Sequence, residues 1–175
     1  VGGQVFAGCT SLEKVNVNLN NKNYTSENGI WYDKNKTKII LYPYNKKDSA
    51  YTTPTSLKEL CNGYVGSYGM LLDNSNLKTV TIEKNVTKID DYAIGFVFDF
   101  DNYKINKVKD FTVKGYRGTV AESYAKKNSF NFVALDKTLQ TPSISKLENT
   151  SGGIKISWNK VSGAYGYRVY QKTSN

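Results

Sequence analysis

With 175 residues the chain has room for one domain and part of a second. It contains no histidine, which excludes Ser-His-Asp and Cys-His catalysis and most catalytic zinc sites. The net charge of +9 is spread along the chain: residues 1–53 hold seven Lys against four acids, residues 54–110 seven against eight. Arg occurs only at Arg117 and Arg168, so the planar fork favoured for base and phosphate recognition is scarce and no nucleic-acid partner is expected.

In chain order, one template recurs three times: Leu12-x-x-Val15-x-Val17, Leu77-x-x-Val80-x-Ile82 and Val108-x-x-Phe111-x-Val113. A second anchor precedes each copy. Val1, Leu60 and Ile89 are followed four and five residues later by Val5-Phe6, Tyr64-Val65 and Ala93-Ile94. A short strand entered from a packed turn and repeated along a chain predicts a stacked repeat architecture. The chain opens inside a repeat, as expected of a piece of a longer protein. No apolar run reaches bilayer-spanning length, and no membrane insertion is expected.

Between the first and second copies, Tyr24 to Tyr32 and Lys38 to Tyr42 flank the polar stretch Asp33 to Thr37, predicting a hairpin. Pro43 and Pro54 bracket the return. Past the third copy, Thr119-Val120-Ala121-Glu122 reads as a capping box opening a short helix that stops near Asn128, with Ala121, Tyr124 and Ala125 on one face. Phe130, Phe132 and Leu135 follow as a strand, and the helix would cover the end of the repeat stack. A boundary is expected at Leu139 to Pro142. Beyond it, Gly153 to Trp158 and Gly166 to Gln171 alternate as strands of an incomplete sandwich.

The segment Val5-Phe6-Ala7-Gly8-Cys9-Thr10-Ser11-Leu12-Glu13-Lys14-Val15 resembles the A-F-x-x-C-x-x-L-x-x-V core of BspA-like leucine-rich repeats, found in bacterial surface proteins. Tyr24 to Pro43, Tyr51 to Leu60 and Thr119 to Phe132 resemble that family's hairpin, re-entry segment and closing unit. The second and third copies depart from the pattern, with Tyr64-Val65 and Ala93-Ile94 in place of Ala-Phe. Residues 141–175 resemble the start of a fibronectin type III-like module.

The expected fold is therefore mainly β with one or two short helices: a leucine-rich repeat solenoid over residues 1–138, with short parallel strands, an inserted hairpin and a capping helix, then a partial β-sandwich over 139–175. The resemblance implies an extracellular or wall-associated bacterial protein acting in adhesion, with no catalytic residue and no cofactor. Its partner would be a host or microbial surface protein or glycan, and the chain itself a monomer. An accessory or spacer region of a larger secreted enzyme is the alternative.

Candidate chemistry is sparse. Cys9 and Cys61 fall at different places in the repeat and read as unpaired, buried, inert thiols. Asp99, Asp101 and Asn102 hold only part of a calcium ligand set and interleave with Phe98, Phe100 and Tyr103, so an aromatic-anchored loop is the better reading. Gly63, Gly66 and Gly69 lack the Lys-Ser/Thr ending of a phosphate loop. Among fourteen Tyr, those at 32, 42, 44, 64 and 68 would suit sugar stacking, but their spacing favours the core. Lys14 and Asn16, Thr79 and Thr81, and Asp110 and Thr112 flank the inward strand positions. They would project from consecutive strands as a ladder that contacts a macromolecule.

Overall fold

The computed structural model describes residues 5–6, 8–61, 72–136, 139–164 and 166–170. Two compact units divide the chain, Val1–Asp136 and Lys137–Asn175. The described residues are mainly β, with a single short helix. The anchor Val1, Ala7 of the repeat core, Tyr64-Val65, Tyr68 and the glycines at 63, 66 and 69 lie outside them.

In the first unit, β1 (Tyr24–Glu27), β2 (Ile30–Asp33) and β3 (Ile39–Leu41) form an antiparallel meander in the order β1-β2-β3. The expected hairpin is β2–β3. Its polar turn is held by the Asp33 carboxylate, which accepts from Thr37 Oγ1 at 2.6 Å and the Lys38 amide at 2.9 Å. The additional strand β1 turns back through Asn28 (φ 52°) and Gly29 (φ 77°), the left-handed pair a two-residue hairpin turn requires. A Cβ on Gly29 would lie 2.8 Å from that of Lys14, so glycine is needed there twice over.

The meander buries both faces: successive residues of β2 point opposite ways, and the irregularity in the β2–β3 register sends Ile39 and Leu41 to opposite sides as well. Ile30, Tyr32 and Ile39 enter the main core. Trp31 and Leu41 build a smaller one with Tyr44, against which Phe6, Leu12, Val15, Val17 and Tyr24 pack.

Downstream come β4 (Ala50–Thr52), β5 (Glu59–Leu60), β6 (Thr79–Thr81), β7 (Lys88–Ile89), β8 (Phe96–Asp99), β9 (Lys104–Lys107), β10 (Thr112–Gly115), the helix α1 (Val120–Lys127) and β11 (Asn131–Ala134). Four of these strands form a parallel sheet in the order β11-β10-β6-β4, so successive passes of the chain lie side by side in sequence order. A second, shorter parallel ladder joins Lys38, β5 and β7. Leu57, Leu60, Leu77, Val80 and Val113 are completely enclosed between the passes.

Asn74 ties two passes together. It is 1% exposed; its Nδ2 donates to the carbonyls of Pro43 (2.9 Å) and Lys46 (3.0 Å), and its Oδ1 accepts from the amides of Asn76 (2.8 Å) and Leu77 (3.1 Å). A buried amide with every group engaged holds irregular backbone that no ladder satisfies.

The helix ends at Asn128 and buries Ala121, Tyr124 and Ala125 as its spacing predicts. The capping box expected at Thr119 to Glu122 does not form. Glu122 reaches back to the amide of Gly118 (2.7 Å), whereas Thr119 Oγ1 donates to the Tyr116 carbonyl (2.6 Å) and caps nothing. The β8–β9 hairpin occupies the stretch read as an aromatic-anchored loop. Phe98 meets Phe100 and Tyr103 edge-on, at 5.0 and 5.8 Å between centroids.

The described residues of the second unit hold one antiparallel pair, β12 (Ile144–Thr150) and β13 (Gly153–Trp158), with a register shift between Ile144 and Lys146. The strand expected at 166–171 is not formed over 166–170. Tyr167 instead packs at a tilt against Trp158, 5.3 Å between ring centroids, and its hydroxyl accepts from the Val161 amide at 2.6 Å. None of this unit's described residues is buried.

Candidate partner-binding face

The parallel sheet supplies a face whose composition follows from its register. Thr79 pairs with Ala50 on one side and Thr112 on the other, and Thr112 with Asn131. Two residues on, Thr52, Thr81, Lys114 and Val133 form a second row. Between them Tyr51, Val80, Val113 and Phe132 turn inward. The two outward rows therefore present four hydroxyls, an amide and an ammonium at strand spacing, about 4.8 Å apart from one strand to the next.

Of the six residues expected on this ladder, the structure brings together Thr79, Thr81 and Thr112. Lys14 and Asn16 are not on it. Their segment runs along the meander instead, with the Val15 amide on Gly29 O at 2.8 Å and the Val17 amide on Ser26 Oγ at 2.9 Å. The inserted meander provides its own apolar wall, Trp31 and Leu41, for Val15 and Val17. Asp110 also lies off the strand, in a turn at φ 58°.

The third template is displaced by two residues relative to the second, since Val113 rather than Phe111 stands opposite Val80. A shift of two keeps inward and outward residues on their sides, which is why the polar face survives it. It also brings Lys114 opposite Thr81, while β4 and β11 add Thr52 and Asn131 to the rows. The closing strand after α1 was the sequence signal for Asn131.

No group of three or more His, Cys, Asp or Glu among the described residues could hold a metal ion. Asp99, the core of the calcium reading, accepts from the amides of Asp101 (3.0 Å) and Asn102 (3.1 Å) and from Asn102 Nδ2 (3.0 Å). Those bonds, the Asn102 side chain first, hold its carboxyl below the usual range. Both cysteines are free, but Cys9 is exposed rather than buried. Desolvation, then donation to Glu59 (3.2 Å), pushes the Cys61 thiol up to about 11, the opposite of an activated nucleophile. Tyr32, Tyr42 and Tyr44 are buried. The Tyr32 and Tyr51 hydroxyls bond each other at 3.1 Å, and burial pushes Tyr32 up to about 12.

No protein-family model matches the chain, and no curated protein matches it. Similar solved structures include a leucine-rich repeat protein from Eubacterium ventriosum ATCC 27560, at 24% identity and a TM-score of 0.36, with 66% of this chain and 33% of that one covered. The pneumococcal vaccine antigen PcpA is similar at 17% identity and a TM-score of 0.29, with 73% and 51% covered. This chain thus spans about a third of the first and about half of the second. Its structural neighbours are a bacterial leucine-rich repeat protein and a bacterial antigen.

Proposed function

We propose that the first unit is a short leucine-rich repeat solenoid of the BspA-like type, acting without catalysis as a macromolecular recognition module of a secreted or surface-attached bacterial protein. The second unit, in the same reading, is of the fibronectin type III-like kind. The observation that supports this reading is the pair of outward rows Ala50-Thr79-Thr112-Asn131 and Thr52-Thr81-Lys114-Val133 on a parallel sheet built from successive passes of the chain. Hydroxyls, an amide and one ammonium on a rigid sheet suit hydrogen bonding to a protein or glycan surface.

The test is binding of the chain to mucin, matrix proteins and purified cell wall at low and high salt. Salt-resistant binding to one target, lost in a Thr81→Arg, Lys114→Glu double variant, is the expected result. Binding that disappears with salt would reduce the interaction to the net charge of +9. Binding unaffected by the double variant would remove the sheet face from the account.

A further inference from the structure

The two outward rows of the parallel sheet differ from other polar parts of the surface. Elsewhere, polar side chains are spent on the chain's own backbone. Asn18 and Asn21 each close a turn of their loop, Lys34 donates to the Asn21 carbonyl at 2.6 Å, and Lys107 to that of Asn128 at 2.6 Å. On the sheet, the side chains of Thr52, Thr79, Thr81, Thr112, Lys114 and Asn131 make no hydrogen bond or ion pair among the described residues.

These groups are nevertheless held in place. Val80 and Val113, completely buried, fix β6 and β10 from beneath, and the β-branched threonines are stiff at χ1. Polar groups positioned before a ligand arrives lower the entropy cost of binding it.

The composition of the rows separates a protein from a glycan partner. A protein interface is anchored at its centre by large apolar or aromatic side chains, where Lys is depleted and Thr and Val contribute little. Here the apolar members Ala50 and Val133 stand at opposite ends of the rows, and the centre is hydroxyl and ammonium. Each threonine hydroxyl both donates and accepts, as does the Asn131 amide. Rows four strands wide, roughly 14 Å from end to end, suit a linear chain of sugar hydroxyls lying across the strands.

Charge then selects among glycans. Lys114 stands inside the second row. Glu83, two residues past Thr81, shares its side of the sheet by alternation, and its carboxylate lies 3.5 Å from the Tyr116 hydroxyl. Lys84 sits 4.5 Å over the Tyr116 ring, and Asp136 is held by Arg117 at 3.3 Å. At the start of β10, Asp110 is next to Lys109 in sequence and to Lys78 across the ladder, where the Thr112 amide donates to the Lys78 carbonyl. On the β4 side, Asp48 and Glu13 are paired with Lys46 and Lys47. Within and beside the rows, Lys78, Lys84, Lys109, Lys114 and Arg117 therefore face Glu83, Asp110 and Asp136, five cations against three anions. The complement is an anionic ligand.

We propose that the rows bind a linear polysaccharide bearing hexuronate residues, whose carboxylate meets Lys114 and whose hydroxyls pair with Thr79, Thr81, Thr112 and Asn131. This rests on the recognition reading and narrows its partner to a glycan.

The probe is a hyaluronan tetrasaccharide, added to the full chain and followed by amide shifts, with chitotetraose as the uncharged comparison. Shifts are expected at Thr79, Thr81, Thr112 and Lys114. Lys114→Met should weaken hyaluronan binding roughly tenfold, the worth of one charge-assisted hydrogen bond, and leave chitotetraose binding unchanged. Thr79→Val and Thr112→Val keep the β-branched shape, remove one hydroxyl each, and should each weaken both sugars about fivefold. Unaltered slow exchange at Val80 and Val113 checks that each variant is folded.

No shifts on these strands with millimolar hyaluronan tetrasaccharide would overturn the proposal, as would undiminished binding by Lys114→Met. Tighter binding of sialyllactose at the same amides would make a terminal sialic acid the ligand and overturn it too. Binding of a deglycosylated matrix protein, lost in the Thr81→Arg, Lys114→Glu variant, would leave the recognition reading standing and overturn the glycan.

Discussion

The Tyr124 hydroxyl donates to the Ile94 carbonyl at 2.7 Å and accepts from the Ile94 amide at 3.2 Å, so one side chain of the closing helix satisfies both main-chain groups of a residue thirty positions earlier. Ile94 and Tyr124 are both buried, and water cannot replace the phenol. Tyr124→Phe keeps the ring and leaves two main-chain groups unpaired. A loss of about 2–3 kcal/mol is expected by urea denaturation. A change under about 0.5 kcal/mol would show that the loop relaxes to other partners.

Asn74 supplies four bonds from one side chain to backbone of two passes. Asn74→Ala strands the Pro43 carbonyl and the Leu77 amide in the interior. It should cost about 3 kcal/mol. Asn74→Asp retains the acceptor but sets a carboxylate against two carbonyls, and is expected to destabilise at least as much.

Asp73 lends the fold a pH dependence of unusual sign. Its Oδ1 accepts from the Phe98 amide at 3.0 Å and its Oδ2 is buried without a partner. Burial pushes the carboxyl up to about 6, and the Phe98 bond works against the rise. The unfolded chain releases this proton near the ordinary carboxylate value of about 4. Between about pH 4 and 6 the folded state holds a proton that the unfolded state has lost. The stability this group contributes is therefore complete below pH 4 and is lost as pH rises through 6, by roughly 2 kcal/mol. Asp99 and Asp136 have depressed values, so their contributions run the other way and fade in acid. Denaturation midpoints of wild type and Asp73→Asn at pH 4.5 and 7.5 separate the two. The variant should lose the decline, and an unchanged decline would exonerate Asp73.

Thiol labelling should be biphasic. Cys9 is exposed, whereas Cys61 is half-buried, donates to Glu59 and titrates near 11. At pH 8 roughly 0.1% of Cys61 is thiolate, so a disulfide reagent should modify Cys9 much faster. Cys9→Ser is expected to remove the fast phase. Two equal rates would contradict the Cys61 environment.

Gly95 lies at φ 78°, where a Cβ would sit 2.7 Å from the Phe130 ring and 2.8 Å from Phe111. Gly95→Ala meets both a left-handed backbone and a closed aromatic contact. About 3 kcal/mol of destabilisation is expected in thermal or urea melts.

The sequence by itself determined the period-2 apolar positions, the hairpin around Asp33 to Thr37 and the helix from Val120 to its stop at Asn128. Each is local: alternation, turn chemistry and a buried face of Ala121, Tyr124 and Ala125 are written in neighbouring residues. The Asn28-Gly29 turn was equally local, and the pair itself was the signal for β1. It also placed Thr79, Thr81 and Thr112 outward, because parity along a strand outlasts a register error of two. Only the tertiary structure decided that error, and it placed Lys14 and Asn16 on the meander. Which segment a strand pairs with depends on the apolar walls that become available, here Trp31 and Leu41 of an inserted meander competing with β4. In the second unit, alternation at Tyr167 and Val169 made no strand over the described residues, and Tyr167 packs against Trp158 of β13 instead.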